Sequence, residues 1–504
     1  MNTIKRVLCS ALLLCVFAPS ALADLDLPYD TYTYDYWGDI RFTPAAYTPV
    51  SSVSGGDLTY NGEAIGAFSS PQDICRSPGG ELYLADTGNN RIVVLNEAMD
   101  MAVNIIDGFE LDGEWQTFDT PTGVAVSQDG EVYIADSLNH RIVALNADGT
   151  LFKIVENPQS EVLEEGYVFT PLKLCVDYAD RVYCIAQKMF EGIMVFDTDG
   201  QFTGFFGTIE VKISLWEKFW RRIASKEERS KSKLYIPTEF TGIDIDDDGF
   251  VYASNIDTDG VQAVKRLNPR GEDVIKTGSR ENLGGDLWTD GYTQYAGASK
   301  ITDVVYRGDG IYSLLDSLRG RIFTYDHEGN LLYIFGGLGT QRGTFTTPVA
   351  IEAVGDTILV LDAYRAAILV FGATEYGALI NQAVALRYDG DETLAVEKWE
   401  AVLELDENNE LANVGIGKAY LAAGDNELAM EYLKRGMNKS YYSVAFKRYR
   451  NALLRDNLGV ILTAVILLII GLVALFQIRK RTKAAGKTKS GPKRPKRGGK
   501  AVSA

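Results

Sequence analysis

Pro71-Gln-Asp-Ile-Cys-Arg-Ser-Pro-Gly-Gly-Glu-Leu-Tyr-Leu-Ala-Asp86-Thr-Gly-Asn89-Asn-Arg91-Ile92 is followed, fifty residues on, by Pro121-Thr-Gly-Val-Ala-Val-Ser-Gln-Asp-Gly-Glu-Val-Tyr-Ile-Ala-Asp136-Ser-Leu-Asn139-His-Arg141-Ile142. The two stretches match position by position, and a fixed period of this length marks a repeat architecture. Four weaker copies follow: Pro171 with Leu174-Cys-Val and Arg181-Val-Tyr; Thr241-Gly-Ile-Asp-Ile with Gly249-Phe-Val-Tyr; Thr302-Asp-Val-Val with Asp316-Ser-Leu-Arg319-Gly-Arg321; and Thr347-Pro-Val-Ala-Ile with Asp362-Ala-Tyr-Arg365. Short runs of Val, Ile, Leu and Tyr bounded by Gly79-Gly80, Asp129-Gly130, Asp248-Gly249 and Asp309-Gly310 read as antiparallel strands joined by tight turns. Later turns at Asp148-Gly149, Asp199-Gly200 and Glu328-Gly329 give each unit three or four strands. One such sheet leaves two faces bare, whereas six set radially cover one another. A six-bladed all-β propeller over residues 60–372 is therefore expected, with residues 24–59 as an extension that closes the ring or lies over one face.

At these residues the chain resembles the NHL-repeat family, most closely in the first two copies. Repeat three has Ala186 where Asp86 and Asp136 stand, and repeat four has Asn255. Asp86/Asn89/Arg91 and Asp136/Asn139/Arg141 have the look of a charged site, but their recurrence on several blades predicts that they fix the turn between the second and third strands.

Beyond Gly372 the period changes. Ala383/Gly417, Ala395/Ala429, Trp399/Leu433 and Val402/Gly436 are each 34 residues apart, the tetratricopeptide period, so residues 376–443 are expected to form a helical segment resembling that family. Such units present a groove to a peptide or protein. A connecting helix over 444–457 is expected to lead into Leu458–Ile478, which holds 21 residues without a charge. At about 1.5 Å per residue that run crosses a hydrocarbon layer of roughly 30 Å. Residues 479–504 then carry 11 Lys or Arg and no acid, which assigns this tail to the cytoplasm. Lys5-Arg6, the apolar run Val7–Ala18 and Ala21-Leu22-Ala23 read as a removable signal over 1–23. Both ends agree on one topology, a single-pass membrane protein with propeller and helices outside the cytoplasm.

That exported part holds 37 Lys and Arg against 68 Asp and Glu, a net charge of −31. Nucleic acid is excluded as a partner on that ground. Three cysteines remain after the signal, too few for a disulfide framework. Cys175 and Cys184 flank Ala179-Asp180 symmetrically, so they are expected to face each other across a hairpin, as two buried thiols or as a cross-strand disulfide.

Catalytic chemistry is expected to be absent. The gluconolactonase group, a propeller family that this one resembles, holds its metal at Pro-Asn-Gly or Pro-Asp-Gly segments, and Gln72, Thr122, Leu172, Thr241, Thr302 and Val349 occupy those positions here. The resemblance thus carries over no ligand, and no metal or cofactor is expected. His140 and His327, the chain's two histidines, fall in turns. Asp244-Ile-Asp246-Asp-Asp248-Gly249 imitates a calcium loop but has Asn255 where a bidentate Glu is needed. Polar residues near the starts of the first strands, Asp73, Lys173, Glu239 and Asp303, are the candidate binding groups at the propeller mouth. Between blades three and four lies an insertion, 209–234, whose Trp216, Phe219, Trp220, Arg221 and Arg222 form a basic aromatic helix for a partner or the membrane surface, or one that packs on its own propeller. The reading is a membrane-anchored binding or scaffold protein, with protein partners, a carbohydrate ligand and a role beside a membrane transporter as expectations. The rival is a propeller hydrolase or lyase acting on a sugar or lactone.

Overall fold

The computed structural model describes residues 27–208, 239–257, 262–278, 283, 285–286 and 297–487. The signal segment, the insertion bearing Trp216, Phe219, Trp220, Arg221 and Arg222, and the tail beyond residue 487 lie outside them. Six antiparallel sheets form a six-bladed propeller. Blade 1 runs from Asp73–Arg76 outward through Leu82–Asp86 and Arg91–Leu95 to Ala102–Ile106. Blades 2 to 5 begin at Pro121–Val126, Pro171–Val176, Phe240–Ile245 and Ile301–Tyr306, and blade 6 at Pro348–Val354. The second and third strands are mostly apolar and almost wholly buried because neighbouring blades cover both of their faces: Val132–Asp136, Val182–Ala186 and Tyr312–Asp316 are buried at every residue.

The extension before residue 60 closes the ring, and its earlier part lengthens a blade at the outer edge rather than lying over one face. Tyr47–Ser54 pairs with Ala367–Ala373 as the fourth strand of blade 6, so the ring is closed by residues from its two ends. Tyr32–Tyr34 adds to the outer strand of blade 5 through Tyr32 and Ile334.

The repeated Asp is a turn clamp, as its recurrence implied. Asp136 is buried and takes the backbone N–H of Asp119 at 2.7 Å, the Asn139 amide at 3.0 Å and the Arg141 Nε at 2.7 Å. Asp86 repeats this with Ser69, Asn89 and Arg91. Each carboxylate thus ties the approach to its blade's first strand to the turn leaving the second.

One expectation fails. Leu174 lies opposite Cys184 and Cys175 opposite Tyr183. Asp177 and Arg181 close the turn, so three residues rather than two form its tip and the register moves by one. In a strand of period two that slip sends the two thiols to opposite faces. Cys184 packs between blades 2 and 3, Cys175 between blades 3 and 4, and no bond can join them.

Behind the ring follow helices α1 (Glu375–Tyr388), α2 (Glu392–Leu405), α3 (Glu410–Ala423), α4 (Asn426–Arg435), α5 (Lys439–Asp456) and α6 (Leu458–Lys487). Helices α1 to α5 open with a side-chain cap, from Thr374, Asp391, Asn409, Asp425 and Asn438. All eight residues of the four 34-spaced pairs are buried. Helix α1 continues the propeller core: Tyr376, Ile380 and Val384 pack with Tyr47, Tyr333, Phe335 and Phe371. Within that interface Asn381 accepts from the Tyr333 hydroxyl at 2.7 Å and donates to Tyr47 at 3.0 Å, while Arg307 donates to both tyrosines. The Arg41–Asp406 pair at 2.7 Å adds a second tie. Helix α6 holds a 25-residue stretch, Leu458–Thr482, long and apolar enough to cross a membrane, and none of its most apolar window is buried.

Candidate functional site

In a propeller the innermost strand of each blade is a sheet edge, and its unpaired N–H and C=O groups face the axis or the next blade. This chain covers those groups with side chains. In blades 2 to 6 a register shift follows the first residue of the strand, leaving the second residue out of the ladder. Those second residues are Thr122, Leu172, Thr241, Thr302 and Val349. Thr122 donates to the Leu172 carbonyl at 2.9 Å and Thr241 to the Ile301 carbonyl at 2.8 Å, each on the following blade. Two of the six positions compared with lactonase metal ligands, Thr122 and Thr241, are here joints between blades, while Thr302 bonds back to Leu315 of its own blade.

Counted from Pro71, Pro121, Pro171, Phe240, Ile301 and Pro348, the third positions of the six repeats are Asp73, Gly123, Lys173, Gly242, Asp303 and Ala350. Long side chains come from blades 1, 3 and 5, small residues from the blades between. Lys173 reaches across the axis to Asp73 at 3.0 Å and Asp303 at 2.8 Å. The glycines are needed for that closeness: a Cβ on Gly123 would lie 2.5 Å from the Leu172 oxygen, and one on Gly242 would lie 2.5 Å from the Asp303 Cα. The carboxylates have a second task. Asp73 accepts the Val124 N–H at 3.1 Å and Asp303 the Ile351 N–H at 2.9 Å, again one blade on. Burial opposes a charge on Lys173, but Asp303 and then Asp73 outweigh it and hold the ammonium above its ordinary pKa.

Two residues further along, the alternation of the strand returns to the axis at Cys75, Ala125, Cys175, Asp244, Val305 and Glu352. Asp244 takes the Tyr306 N–H at 2.6 Å and Glu352 the Arg76 N–H at 2.8 Å. No ion pair joins either carboxyl to a cation among the described residues. Burial raises Glu352 to about 8, with the charge of Asp244 adding to it, and raises Asp244 to about 7, with Asp303 adding to it against the Tyr306 and Ile245 N–H bonds. Burial also lifts Asp303, to about 6, although Lys173 pulls it down. The Cys75 and Cys175 thiols are pushed well up by burial and are held as thiols.

These residues line a cavity of about 550 Å³ reaching Ser77, Gln128, Asp247 and Gly308. It therefore opens on the face of the first-to-second-strand turns. The sequence placed the mouth at the other end, where the first strands begin. Lys173, stretched between Asp73 and Asp303 at the third position, closes the channel there and makes those three residues the floor. Glu239 is not part of it: it precedes Phe240–Ile245 at the end remote from Asp244, half-buried, and no ion pair among the described residues links it to the other three. Asp244 and Glu352 were missed as a pair, although the period of two that brings Asp73 to the axis brings the fifth residues there as well. Asp246 and Asp248 are turn residues: Asp246 accepts the Asp248 and Phe250 N–H groups and pairs with Arg266 at 2.8 Å.

The NHL repeat family matches residues 68–95 and 118–145, blades 1 and 2. Among solved structures, a virginiamycin B lyase from Staphylococcus aureus is 12% identical with a TM-score of 0.39, covering 65% of this chain and 100% of its own. A protein of unknown function from Bacteroides thetaiotaomicron is 14% identical with a TM-score of 0.41, covering 67% of this chain and 80% of its own. A putative gluconolactonase is 12% identical with a TM-score of 0.39, covering 68% and 98%. No curated protein matches the chain.

Proposed function

We propose that the protein is a membrane-anchored, extracytoplasmic binding and scaffold protein. Its channel cavity takes a small ligand rich in hydroxyl or amine donors, the class that includes saccharides and amino sugars. Its helical array, of tetratricopeptide type, engages a second protein, with a transporter in the same membrane as the fitting partner, and α6 is the anchor. The observation that carries the reading is the pair Asp244 and Glu352, which stand in an open cavity of about 550 Å³ without a cationic partner among the described residues. A group that donates hydrogen bonds or carries positive charge is what such a pair recognises. Lys173 cannot serve it, because Asp73 and Asp303 already hold it.

Calorimetry on the full chain in detergent with neutral and amino saccharides tests this. Binding that Glu352→Gln and Asp244→Asn weaken at least tenfold supports the reading, and binding indifferent to both substitutions overturns it. The second reading, a propeller hydrolase or lyase acting on a sugar or lactone, draws on the same pair: carboxyls raised to about 7 and about 8 are placed to exchange protons at neutral pH. Turnover of a lactone or glycoside that is lost in Glu352→Gln would favour it.

A further inference from the structure

Helix α5 carries Lys439, Lys447, Arg448, Arg450 and Arg455 against one acid, Asp456, in an exported region that is otherwise strongly acidic. Lys439 lies over the Tyr36 ring at 4.9 Å and Arg448 donates to the Leu421 carbonyl at 3.1 Å, while Arg455 meets Asp456 at 3.5 Å and Arg450 its neighbour Asn451 at 3.4 Å, both exposed contacts within the helix. At about 100° per residue, Phe446, Lys447, Arg450, Leu453 and Leu454 fall on one arc of roughly 120°, and the buried residue of the helix, Ala445, lies on the side away from that arc. The arc holds no acid. Leu453 is 52% exposed, Leu454 48% and Phe446 44%, so apolar surface begins more than a turn before the apolar run at Leu458.

The hydrogen bonds Asn457 N to Leu453 O and Ile461 N to Asn457 O, at 3.1 and 2.9 Å, carry the helical ladder through the junction of α5 and α6. The arc is therefore fixed in direction relative to the apolar helix. An interfacial layer of roughly 6 Å on each side of the hydrocarbon spans about four residues of an upright helix. That reaches Leu453 and Leu454, and a lean of the rod toward the arc brings Arg450 and Lys447 to the same level. Exposed leucines interleaved with cations are the composition of a helix face lying in the headgroup region.

We infer that this face of α5 is a membrane-contact surface, docking on anionic lipid headgroups at the foot of the rod and setting its lean. The inference rests on α6 spanning the membrane. It depends on charge complementarity between the arc and anionic lipid in the leaflet that α5 faces, the extracytoplasmic one in the proposed topology; next to a negatively charged surface each basic group is worth about fivefold in local enrichment.

The test uses the full chain reconstituted in vesicles in which either phosphatidylcholine or phosphatidylglycerol carries a photoactivatable group near its headgroup, with adducts mapped by peptide mass spectrometry. Adducts over residues 446–455 are expected, richer with phosphatidylglycerol, and the preference should fall about fivefold each in Lys447→Gln and Arg450→Gln. Adducts absent from this segment, or equal for the two lipids, in a chain that still floats with the vesicles overturn the inference and leave the span standing. Cross-links between two chains through this face, without lipid adducts, also overturn it in favour of self-association. A chain that fails to float removes the span and the inference together.

Discussion

Lys173→Met is the most informative single change. The ammonium lies 3.0 Å from Asp73 and 2.8 Å from Asp303, and both carboxylates also cap N–H groups of the next blade, so they cannot turn away once it is gone. Breaking a buried charge pair by removing one partner costs about 3–5 kcal/mol, and here one cation serves two anions. Protons provide the escape. Asp303 is already raised to about 6 with Lys173 beside it, and loss of the ammonium raises it further. A carboxyl whose folded pKa exceeds its unfolded value destabilises the fold as pH rises through that window. The penalty of Lys173→Met at pH 8 should therefore exceed that at pH 5 by about 1.4 kcal/mol for each unit that Asp303 climbs. Denaturant unfolding of the full chain in detergent at the two pH values measures it, with Lys173→Met/Asp73→Asn/Asp303→Asn as the neutral comparison, expected to regain most of the loss. A penalty below about 1 kcal/mol, or one equal at pH 5 and pH 8, would refute the floor as an electrostatic device.

Glu352→Gln should be nearly silent at pH 4 and increasingly stabilising up to pH 8, because Glu352, raised to about 8, keeps its proton in the fold while the unfolded carboxyl sheds it from about pH 4.3 upward, and the loss levels off once Glu352 itself ionises; the thermal midpoint of variant and parent followed from pH 4 to pH 9 checks the sign. Asp136→Ala strands the Arg141 guanidinium and the Asn139 amide and should cost about 2–4 kcal/mol in the same denaturant assay. Intact mass of the denatured chain should not change on reduction, since Cys175 and Cys184 face different blade interfaces; alkylation of Cys184, which lies away from the cavity, should require unfolding.

The ring, its blade count and the clamping role of Asp86 and Asp136 were legible because each is stated several times in the sequence, and repetition separates a structural device from a site. The paired 34-residue spacings located buried helix faces for the same reason. The channel was legible only in part. Asp73, Lys173 and Asp303 stood out as polar groups early in first strands, but Glu239 shares that description without sharing their axial position. Which end of the channel is open depends on Lys173 reaching across to two blades, a contact between residues 100 and 130 positions apart that no local pattern contains. The cysteine register failed on a single residue: whether a hairpin tip holds two residues or three is decided by whether Asp177 pairs with Arg181, and that choice inverts every side chain beyond it.

The pairing of Tyr47–Ser54 with Ala367–Ala373 also fixes when this molecule can be finished. A chain that crosses a membrane amino end first delivers the closing strand at the outset and its partner only after five blades have emerged. Until then Tyr47–Ser54 is an unpaired strand, and the last blade's third strand, when it arrives, presents a bare edge of its own. Contacts this distant in sequence are slow to form, and exposed edges invite wrong partners. Because α1 seats on Tyr47 and Tyr333, the helices cannot dock before the circle is complete. Chain emergence and ring closure are thereby coupled, and a chain stalled before Ala367 would be an open arc seeking strands from its neighbours.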